Sequence, residues 1–495
     1  VYLFTILGGF CMLKKSFLKG ISFVIILLIL IVTLDYIFIV KTNHRAKLTQ
    51  GLYTNTGDSF DVVLLGSSHM DALINPNVLW KQFGITSFDY STGGQPIDVT
   101  YYLLKEVLKK HKNPIVVVDL YYLGSTDKFG DEGYIRTALD NVKFSVNKVQ
   151  AILNTTPMDQ WLNYFFPIFK YHDRWKELTD TDFNFDTDET YYRKGFNASH
   201  DVYGKENDSN SETTKTAALP PKTEEYLNKM IALSKKENFK LIFTNAPHDY
   251  SQTSGSKVWT AQPAKMFNKV AEISKANNIP FINYNKMLSE LDFDFKTDMA
   301  NIGHLNIFGS NKVTLNLGKY LKTKYKLTDH RNDETYREWN SDYILYSRSE
   351  KAIDITNETN IKNYIPLIKN KNYIIVANTN EDISKNEILK NSLTLLGLKT
   401  FTKNSVGSNY LAIINNNKIQ AETLGNAKLS KYFYLDKDTN FKITTQSIDK
   451  NIPSVLLNGV ESLNKHSGLN IIVYDKSLKK IIDTIYLDST SVIKR

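Results

Sequence analysis

The stretch Asp61-Val-Val-Leu-Leu-Gly-Ser-Ser-His-Met70 decides the fold of the first half of the chain. Its apolar run, 61–65, is long enough for one buried strand. Gly66 interrupts the run, and two serines and a histidine follow directly. Because open α/β sheets carry functional groups where their strands end, Ser68 is a candidate functional residue. The alternative is that Ser68 only caps the helix that follows.

The pattern beyond this stretch predicts an α/β fold. Apolar runs predict further strands at 85–89, 115–120, 240–245 and 280–283. Apolar residues recur at helical spacing over 99–110, 223–238, 259–277 and 306–325. Strands separated by helices indicate a three-layer domain, a parallel sheet with helices on both faces. We expect this domain to span 55–330.

Between about 127 and 220 the alternation is lost, which predicts an insertion into the sheet domain. It contains Tyr171-His-Asp-Arg-Trp175. His172, Arg174 and Trp175 are candidate substrate-binding residues, because an indole offers a stacking face for sugar and a guanidinium forks onto anions. The alternative is a packing cluster of arginine and aromatic side chains.

An apolar run at 21–40 predicts a transmembrane anchor, because twenty helical residues span about 30 Å. No small-residue cleavage site follows it, so we expect an uncleaved anchor behind a cytoplasmic leader, 1–20. Lysines and arginines flank both ends almost equally, so charge does not decide the orientation. We expect a single-pass protein of the cell membrane with most of the chain extracytoplasmic. The alternative is a buried helix of a soluble protein.

The net charge of +9 suits a partner that is anionic. Nucleic acid is not an expected partner, because the chain has no basic helix, zinc-ligand spacing or aromatic-basic RNA motif. The single cysteine, Cys11, excludes an intrachain disulfide. The histidines show no metal-ligand spacing, so we predict neither a metal nor a cofactor.

Four polar segments follow predicted strands or close the sheet domain. They are Ser68, Ser91-Thr-Gly-Gly-Gln95, Asn245-Ala-Pro-His248 and Asn301-Ile-Gly-His-Leu-Asn306. The carboxyl ends of parallel strands share one edge, so these segments can meet there. A serine, a late histidine and a glycine turn are what acyl transfer needs: nucleophile, base and oxyanion donors.

The same segments resemble the blocks of the SGNH, or GDSL-like, hydrolase superfamily. Gly66-Ser-Ser68 is similar to its first block, with Ser67 in place of the usual aspartate, and Asp89-Tyr-Ser-Thr-Gly-Gly94 to its second. The resemblance implies Ser68 as nucleophile, His304 as base, and an oxyanion hole from the N–H groups of Ser68 and Gly94. The closer resemblance is to a membrane-anchored branch with proteins of polysaccharide O-acetylation, including that of alginate, and of lipoteichoic-acid D-alanylation.

Two positions depart from the family pattern. Tyr121, Tyr122 and Leu123 replace the block that supplies the family's asparagine donor. The triad aspartate precedes the histidine by three residues in the family, and here that position is Asn301. An asparagine can orient an imidazole but cannot stabilise the imidazolium with a charge, so Asp298 is the alternative orienting residue.

Two further histidines are candidate substrate-binding residues. His69 is next to Ser68, and His248 follows a predicted strand. For His69 the alternative is an ordinary turn residue.

A charged linker at 331–353 leads to a second domain, 354–495, that we predict to be β-rich. Its predicted strands are 373–377, 410–415, 441–445, 454–457, 468–474 and 481–487, with one helix at 383–396. Asn415-Asn-Asn-Lys418 predicts a hairpin turn. The stretch 468–483 resembles the interleukin-like epithelial–mesenchymal transition inducer domain, a β-sandwich that implies carbohydrate or protein binding. A role in packing alone is the alternative.

These features together predict an extracytoplasmic O-acyl transferase or esterase, with O-acetyl as the first choice, acting on a cell-surface polysaccharide. The resemblance implies that a transferase would receive its acyl group from a multi-spanning membrane acyltransferase. The alternative is a catalytically inactive protein that kept the SGNH scaffold and binds or helps assemble cell-surface glycan.

Overall fold

A computed structural model of the chain divides into two compact units, Val1–Tyr343 and Ile344–Arg495. Side chains are described from residue 17 onward. The structure describes residues 2–41, 48–49, 52–53, 60–125, 127–183, 191–206, 213–250, 262–382, 386–400, 408–446, 452–464, 468–487 and 492–495.

A parallel five-stranded sheet organises the first unit. Its strands are β1 (Val62–Leu65), β2 (Ser87–Asp89), β3 (Ile115–Asp119), β4 (Lys240–Asn245) and β5 (Phe281–Asn283). They lie in the order β2-β1-β3-β4-β5, and every neighbouring pair is parallel. This confirms the predicted parallel sheet. The first and last residues of each predicted strand lie within two residues of those of the observed strand.

Helices cover both faces of the sheet, as predicted. Alternate residues of a strand point to opposite faces, so Val63 and Leu65 join one buried core while Val62 and Leu64 join another. The first core contains side chains of the helices Ile97–Leu108, Pro221–Glu237 and Pro263–Ala276. The second contains side chains of Ser68–Leu73, Pro76–Phe83 and Ile307–Tyr325. Residues 259–261 of one predicted helix lie outside the described residues.

The first half of the insertion is helical. Its α-helices are Glu132–Leu139, Val146–Thr155, Trp161–Phe165, Ile168–Tyr171 and Asp180–Phe183, with 3-10 turns at Met158–Gln160 and His172–Lys176. Ile135, Leu139 and Ile152 form a small core with Val99 and Tyr102 of the sheet domain. Residues 184–190 and 207–212 of its polar second half lie outside the described residues.

One N-terminal helix, Tyr2–Phe38, precedes the sheet domain. Its part Phe17–Phe38 is long and apolar enough to cross a membrane. At 1.5 Å per residue those 22 residues extend about 33 Å. The helix therefore extends beyond the predicted anchor on the N-terminal side, through the stretch that we expected to be a leader.

The remaining short elements of the first unit follow β3 and β5. They are the 3-10 turns Tyr121–Gly124, Tyr284–Lys286 and Glu334–Tyr336 and the helix Phe295–Asp298. The helix Arg337–Asn357 occupies much of the stretch that we expected to be a linker.

The second unit is antiparallel and β-rich. A six-stranded sheet has the order β15 (Ile493–Lys494), β14 (Lys480–Leu487), β13 (Leu469–Asp475), β6 (Tyr373–Thr379), β7 (Asn409–Asn415), β8 (Lys418–Gly425). A four-stranded sheet has the order β12 (Val460–Glu461), β11 (Ser454–Leu457), β10 (Asn440–Thr444), β9 (Ser430–Tyr434). The helices Ile361–Ile368 and Glu387–Leu395 pack in one core with the larger sheet, and a second core joins the two sheets.

The predicted hairpin joins β7 to β8. Asn416 and Asn417 at its tip have φ of 55° and 56°, which asparagine tolerates better than most residues. Residues 383–385 of the predicted helix lie outside the described residues.

Candidate active site

Three of the four polar segments singled out from the sequence lie at the carboxyl ends of β1, β2 and β4, and the fourth, 301–306, follows the helix Phe295–Asp298. The buried carboxylate of Asp119, at the end of β3, connects two of these loops. Its oxygens accept the N–H of Tyr121 at 3.0 Å and that of Ala246, after β4, at 3.2 Å. Burial raises the pKa of Asp119 to about 7. The loops that follow β3 and β4 are therefore held together behind the edge of the sheet.

The turn after β1 brings Ser68 to this edge. Gly66 has a φ of +152°, and a Cβ there would lie 3.0 Å from the Cβ of Asp119, so glycine suits this close approach. Ser67 is the N-cap of the helix Ser68–Leu73, and its hydroxyl accepts the N–H of His69. Because Ser67 is the cap, the alternative role of Ser68 as the cap is wrong.

Ser68 and His304 are in hydrogen-bond contact although 236 residues separate them. The Oγ of Ser68 lies 2.8 Å from Nε2 of His304, and both residues are partly exposed. The carbonyl oxygen of His304 accepts the N–H of Ala300 at 2.9 Å, which holds the loop in a tight turn. Leu305, on the other side of His304, is buried in the second core of the sheet domain.

Asn301 determines which nitrogen of His304 carries the proton. Its Oδ1 accepts the backbone N–H groups of Gly303 and His304, each at 3.0 Å, and lies 3.1 Å from Nδ1 of His304. Backbone N–H groups only donate, so the atom they share must be the amide oxygen. Nδ1 is therefore the protonated nitrogen, and Nε2 has a lone pair for the hydroxyl of Ser68.

Asp298, the alternative orienting residue, is engaged elsewhere. Its buried carboxylate accepts the N–H of Asp294 and the ammonium of Lys312, each at 2.8 Å. The contact with Asp294 closes the short helix Phe295–Asp298, and the contact with Lys312 attaches Asp298 to the helix Ile307–Tyr325. The geometry thus favours Asn301 over Asp298 as the group at Nδ1.

His69 packs against His304, the histidine that contacts Ser68. Its ring is buried, stacks on Tyr121 and lies 4.2 Å, centroid to centroid, from the ring of His304. Its Nδ1 lies 3.0 Å from the hydroxyl of Ser67. Burial, and then the neighbouring His304 and His248, hold the pKa of His69 well below its usual value. His69 is therefore neutral, and its burial favours positioning of the site over direct contact with substrate.

His248 is fully buried. Its Nδ1 lies 2.8 Å from the carbonyl oxygen of Ala246, and its ring packs against Tyr121 and Tyr250. Burial lowers its pKa to about 4. This environment favours a structural role for His248 over the expected contact with substrate.

Gly94 lies in the turn after β2 and has a φ of +58°. The ring of Tyr134, from the insertion, lies directly against it, so a Cβ at position 94 would overlap that ring. Glycine is therefore required at this position for its backbone conformation and for the close approach of Tyr134. At Gly93 a Cβ would lie 3.9 Å from the same ring, an ordinary contact.

The structure places His172, Arg174 and Trp175 beside the N-terminal helix. Arg174 donates to the carbonyl oxygen of Phe38 and pairs with Asp182 at 2.7 Å. Nδ1 of His172 lies 3.1 Å from the carbonyl oxygen of Phe169, and Trp175 is exposed. For Arg174 these contacts favour the packing alternative over a substrate-binding surface.

Three aromatic residues near the site were not predicted as site residues. Tyr121 stacks on His69, Tyr122 meets the same ring edge-on, and Tyr134 covers Gly94. The aromatic pair directly after a predicted strand was a visible signal for Tyr121 and Tyr122. Nothing in the local sequence distinguishes Tyr134, because its contact crosses from the insertion to the sheet.

No protein-family model matches the chain, and no curated protein matches it either. What the protein does is therefore inferred from Ser68, His304 and Asn301 and their surroundings. A serine hydroxyl on the unprotonated nitrogen of an imidazole, whose other nitrogen faces a fixed acceptor, is the arrangement of an activated nucleophile.

Proposed function

We propose that the protein is an SGNH-like serine enzyme that transfers or removes an O-acyl group, with O-acetyl as the first choice, on a cell-surface polysaccharide. The observation that carries the proposal is the 2.8 Å contact between Ser68 and His304, with Asn301 at the opposite nitrogen. This combination supplies a nucleophile, a base and an orienting group in one place.

In this mechanism Nε2 of His304 takes the proton of Ser68 as Oγ attacks the ester carbonyl. The N–H groups of Ser68 and Gly94 stabilise the negative oxygen that forms. The imidazolium then protonates the leaving alcohol, which leaves Ser68 acylated. Water completes hydrolysis in the second half, and a sugar hydroxyl completes transfer. Asn301 orients the ring throughout but adds no charge, so we expect slow turnover.

The surroundings of the site support a polymeric substrate outside the membrane. Ser68 and His304 are partly exposed at the edge of the sheet, where a long chain can reach them. The segment Phe17–Phe38 would anchor the protein in the cell membrane as a single-pass protein, with the folded units extracytoplasmic. A multi-spanning membrane acyltransferase would be the acyl donor of a transferase, and the β-rich unit would bind glycan or protein.

The second candidate function is a non-catalytic protein on the same scaffold that binds or helps assemble cell-surface glycan. The observation that favours it is Asn301, since the amide leaves the imidazolium without a stabilising charge. The two candidates differ in one measurable respect: only the enzyme forms a covalent acyl-serine.

The test is the reaction of the full chain in detergent micelles with p-nitrophenyl acetate, with the adduct located by mass spectrometry. We expect a burst and acetylation of Ser68 in the wild type, no adduct in Ser68→Ala, and at least a hundredfold slower acylation in His304→Ala. Ser67→Ala is the matched control, because it removes a neighbouring hydroxyl that does not contact Nε2 of His304. An adduct that persists in Ser68→Ala would refute the assignment, and no adduct in any variant would favour the binding protein.

A further inference from the structure

A cavity of about 920 Å³ lies between the N-terminal helix and the insertion. Leu28, Val32 and Ile39 line it on the side of the helix, and Phe144, Phe165 and Phe166 line it on the side of the insertion. Its volume lies at the upper end of the range of small-molecule sites. The walls are mainly apolar, so the cavity suits an apolar ligand.

Three contacts hold the insertion against the end of this helix. The N–H of Ile168 donates to Asp35 at 2.7 Å, and Arg174 donates to the carbonyl oxygen of Phe38. The ammonium of Lys41 donates to the carbonyl oxygen of Asp182 at 2.8 Å. The cavity therefore lies between the N-terminal helix and the insertion at a place where these contacts join the two.

The cavity reaches well into the apolar span. From Leu28 to Phe38 the helix rises about 15 Å, which is half of an apolar bilayer thickness of about 30 Å. If Phe17–Phe38 crosses the membrane, the cavity opens within the leaflet on the side of the folded units.

The insertion also exposes apolar side chains that a water-facing surface would not favour. Phe144, Met158, Leu162 and Phe169 are between 57% and 75% exposed. Met158, Leu162 and Phe169 come from three successive short elements, the last of which, Ile168–Tyr171, contacts the N-terminal helix. Phe144, which also lines the cavity, lies in the loop before the helix Val146–Thr155. A group of exposed apolar residues beside a membrane-spanning helix is typical of a surface that lies in the membrane interface.

The charged residues that line the cavity are Lys41, Lys143, Lys148, Asp35 and Asp140. Lys41 and Lys148 donate to backbone carbonyl oxygens. Asp35 accepts the N–H of Ile168, and Asp140 accepts the hydroxyl of Tyr171. Lys143 is exposed, and its ammonium lies 4.7 Å from the centre of the ring of Tyr53, which also lines the cavity. Lysines near a membrane surface attract anionic lipid head groups. The cavity therefore combines apolar walls that suit an acyl chain with a positive side chain that suits an anionic lipid head group.

We propose that this cavity binds an acyl chain of an anionic membrane lipid, with the head group at Lys143 and the exposed apolar side chains of the insertion in the same leaflet. The proposal rests on the membrane anchoring proposed above and is independent of the chemistry at Ser68. The alternative occupant of the cavity is a transmembrane helix of a partner protein, which would fill the same space with protein.

The test uses the full chain in phosphatidylcholine vesicles that contain phosphatidylglycerol with a photoactivatable diazirine in its acyl chain. Adducts located by mass spectrometry are expected at 140–144 and 165–167. Val32→Trp fills the cavity and should reduce these adducts at least tenfold. Val24→Trp is the matched control and should change the adducts less than twofold, because Val24 is exposed on the same helix, as Val32 is, but lies outside the cavity lining.

Equal adducts in the two tryptophan variants, or adducts confined to 17–27, would overturn the lipid site. Adducts within 17–27 alone would still show that the anchor inserts, and acetylation of Ser68 reports the proposed function separately. In native membranes, a protein cross-linked at 140–144 in place of lipid would overturn the proposal in favour of a partner helix.

A second variant keeps the test informative if Val32→Trp does not fold. Lys143→Gln should reduce the preference for phosphatidylglycerol over phosphatidylcholine about fivefold, because one lysine near the surface contributes about that factor. Lys110→Gln, which removes an exposed lysine outside the cavity lining, should leave the preference unchanged. An unchanged preference in Lys143→Gln would refute the head-group assignment.

Discussion

Asn301 presents its amide oxygen to Nδ1 of His304 at 3.1 Å, and two backbone N–H groups of the same loop hold that oxygen in place. The loop thus orients the imidazole without an aspartate. The arrangement retains the tautomer that a base needs and lacks the charge that would stabilise the imidazolium.

Asn301→Asp should therefore increase the rate of Ser68 acylation. The carboxylate can accept the same three hydrogen bonds and adds the missing charge. Asn301 is exposed, so solvent screens part of that charge, and we expect about a tenfold gain rather than the about 10⁴-fold effect known for a buried aspartate. The measurement is kcat/KM for p-nitrophenyl acetate, and Asn301→Ala should be slower than the wild type. A carboxylate variant no faster than the wild type would show that Asn301 does not act on His304.

Asp298→Asn should affect stability and leave the pH dependence of acylation unchanged. The substitution weakens a buried contact with Lys312 and the hydrogen bond from Asp294, at a cost of about 1–3 kcal/mol. Urea unfolding followed by tryptophan fluorescence measures this cost, since all five tryptophans lie between residues 80 and 339. A shifted pH profile with unchanged stability would instead make Asp298 the orienting group.

Ser67→Ala and Ser68→Ala should separate folding from chemistry at adjacent positions. Removing the N-cap hydroxyl of Ser67 should cost about 1 kcal/mol of stability while acylation stays within a few-fold of wild type. Ser68→Ala should abolish acylation with little loss of stability, because position 68 is the first residue inside the helix. Unfolding and adduct formation, measured on both variants, check this. The reverse pattern would exchange the roles of the two serines.

Gly94→Ala should disrupt the turn after β2. A side chain there meets the ring of Tyr134 and adopts a left-handed conformation that costs about 1–2 kcal/mol. We expect at least a tenfold loss of acylation. The double variant Gly94→Ala/Tyr134→Ala removes the overlap and should restore part of the stability. Gly93→Ala is the control, because position 93 has room for a Cβ. Equal effects at positions 93 and 94 would contradict the role of Tyr134.

The strands and the candidate nucleophile and base were predictable because the relevant patterns are local. The strands Val62–Leu65 and Ile115–Asp119 are short buried apolar runs. The rule that parallel strands end at one edge, together with the family resemblance, was enough to predict that Ser68 and His304 lie together. The edge strand Ser430–Tyr434 was not predicted, because it is largely exposed and therefore lacks a buried apolar run.

Contacts across the insertion were not predictable for the opposite reason. The partner of Arg174, the carbonyl oxygen of Phe38, lies 136 residues earlier in the chain. An arginine beside a tryptophan suits sugar binding as well as packing, so only the tertiary arrangement distinguishes the two. Likewise, nothing near Tyr134 in the sequence indicates that its ring covers Gly94.

The burial of His248 should make the stability of the first unit depend on pH. Burial lowers its pKa to about 4 in the folded protein, whereas an unfolded histidine has a pKa near 6.5. As the pH falls from 7.5 to 4.5, the unfolded chain takes up a proton at this position and the folded chain largely does not, so stability is lost. The loss is about 2.5 kcal/mol by linkage. His248→Asn keeps a donor for the carbonyl oxygen of Ala246 but cannot titrate. The difference in unfolding free energy between wild type and variant, measured in urea at both pH values, should therefore change by about 2.5 kcal/mol in favour of the variant at pH 4.5. A difference that is the same at both pH values would show that His248 is not held neutral by burial.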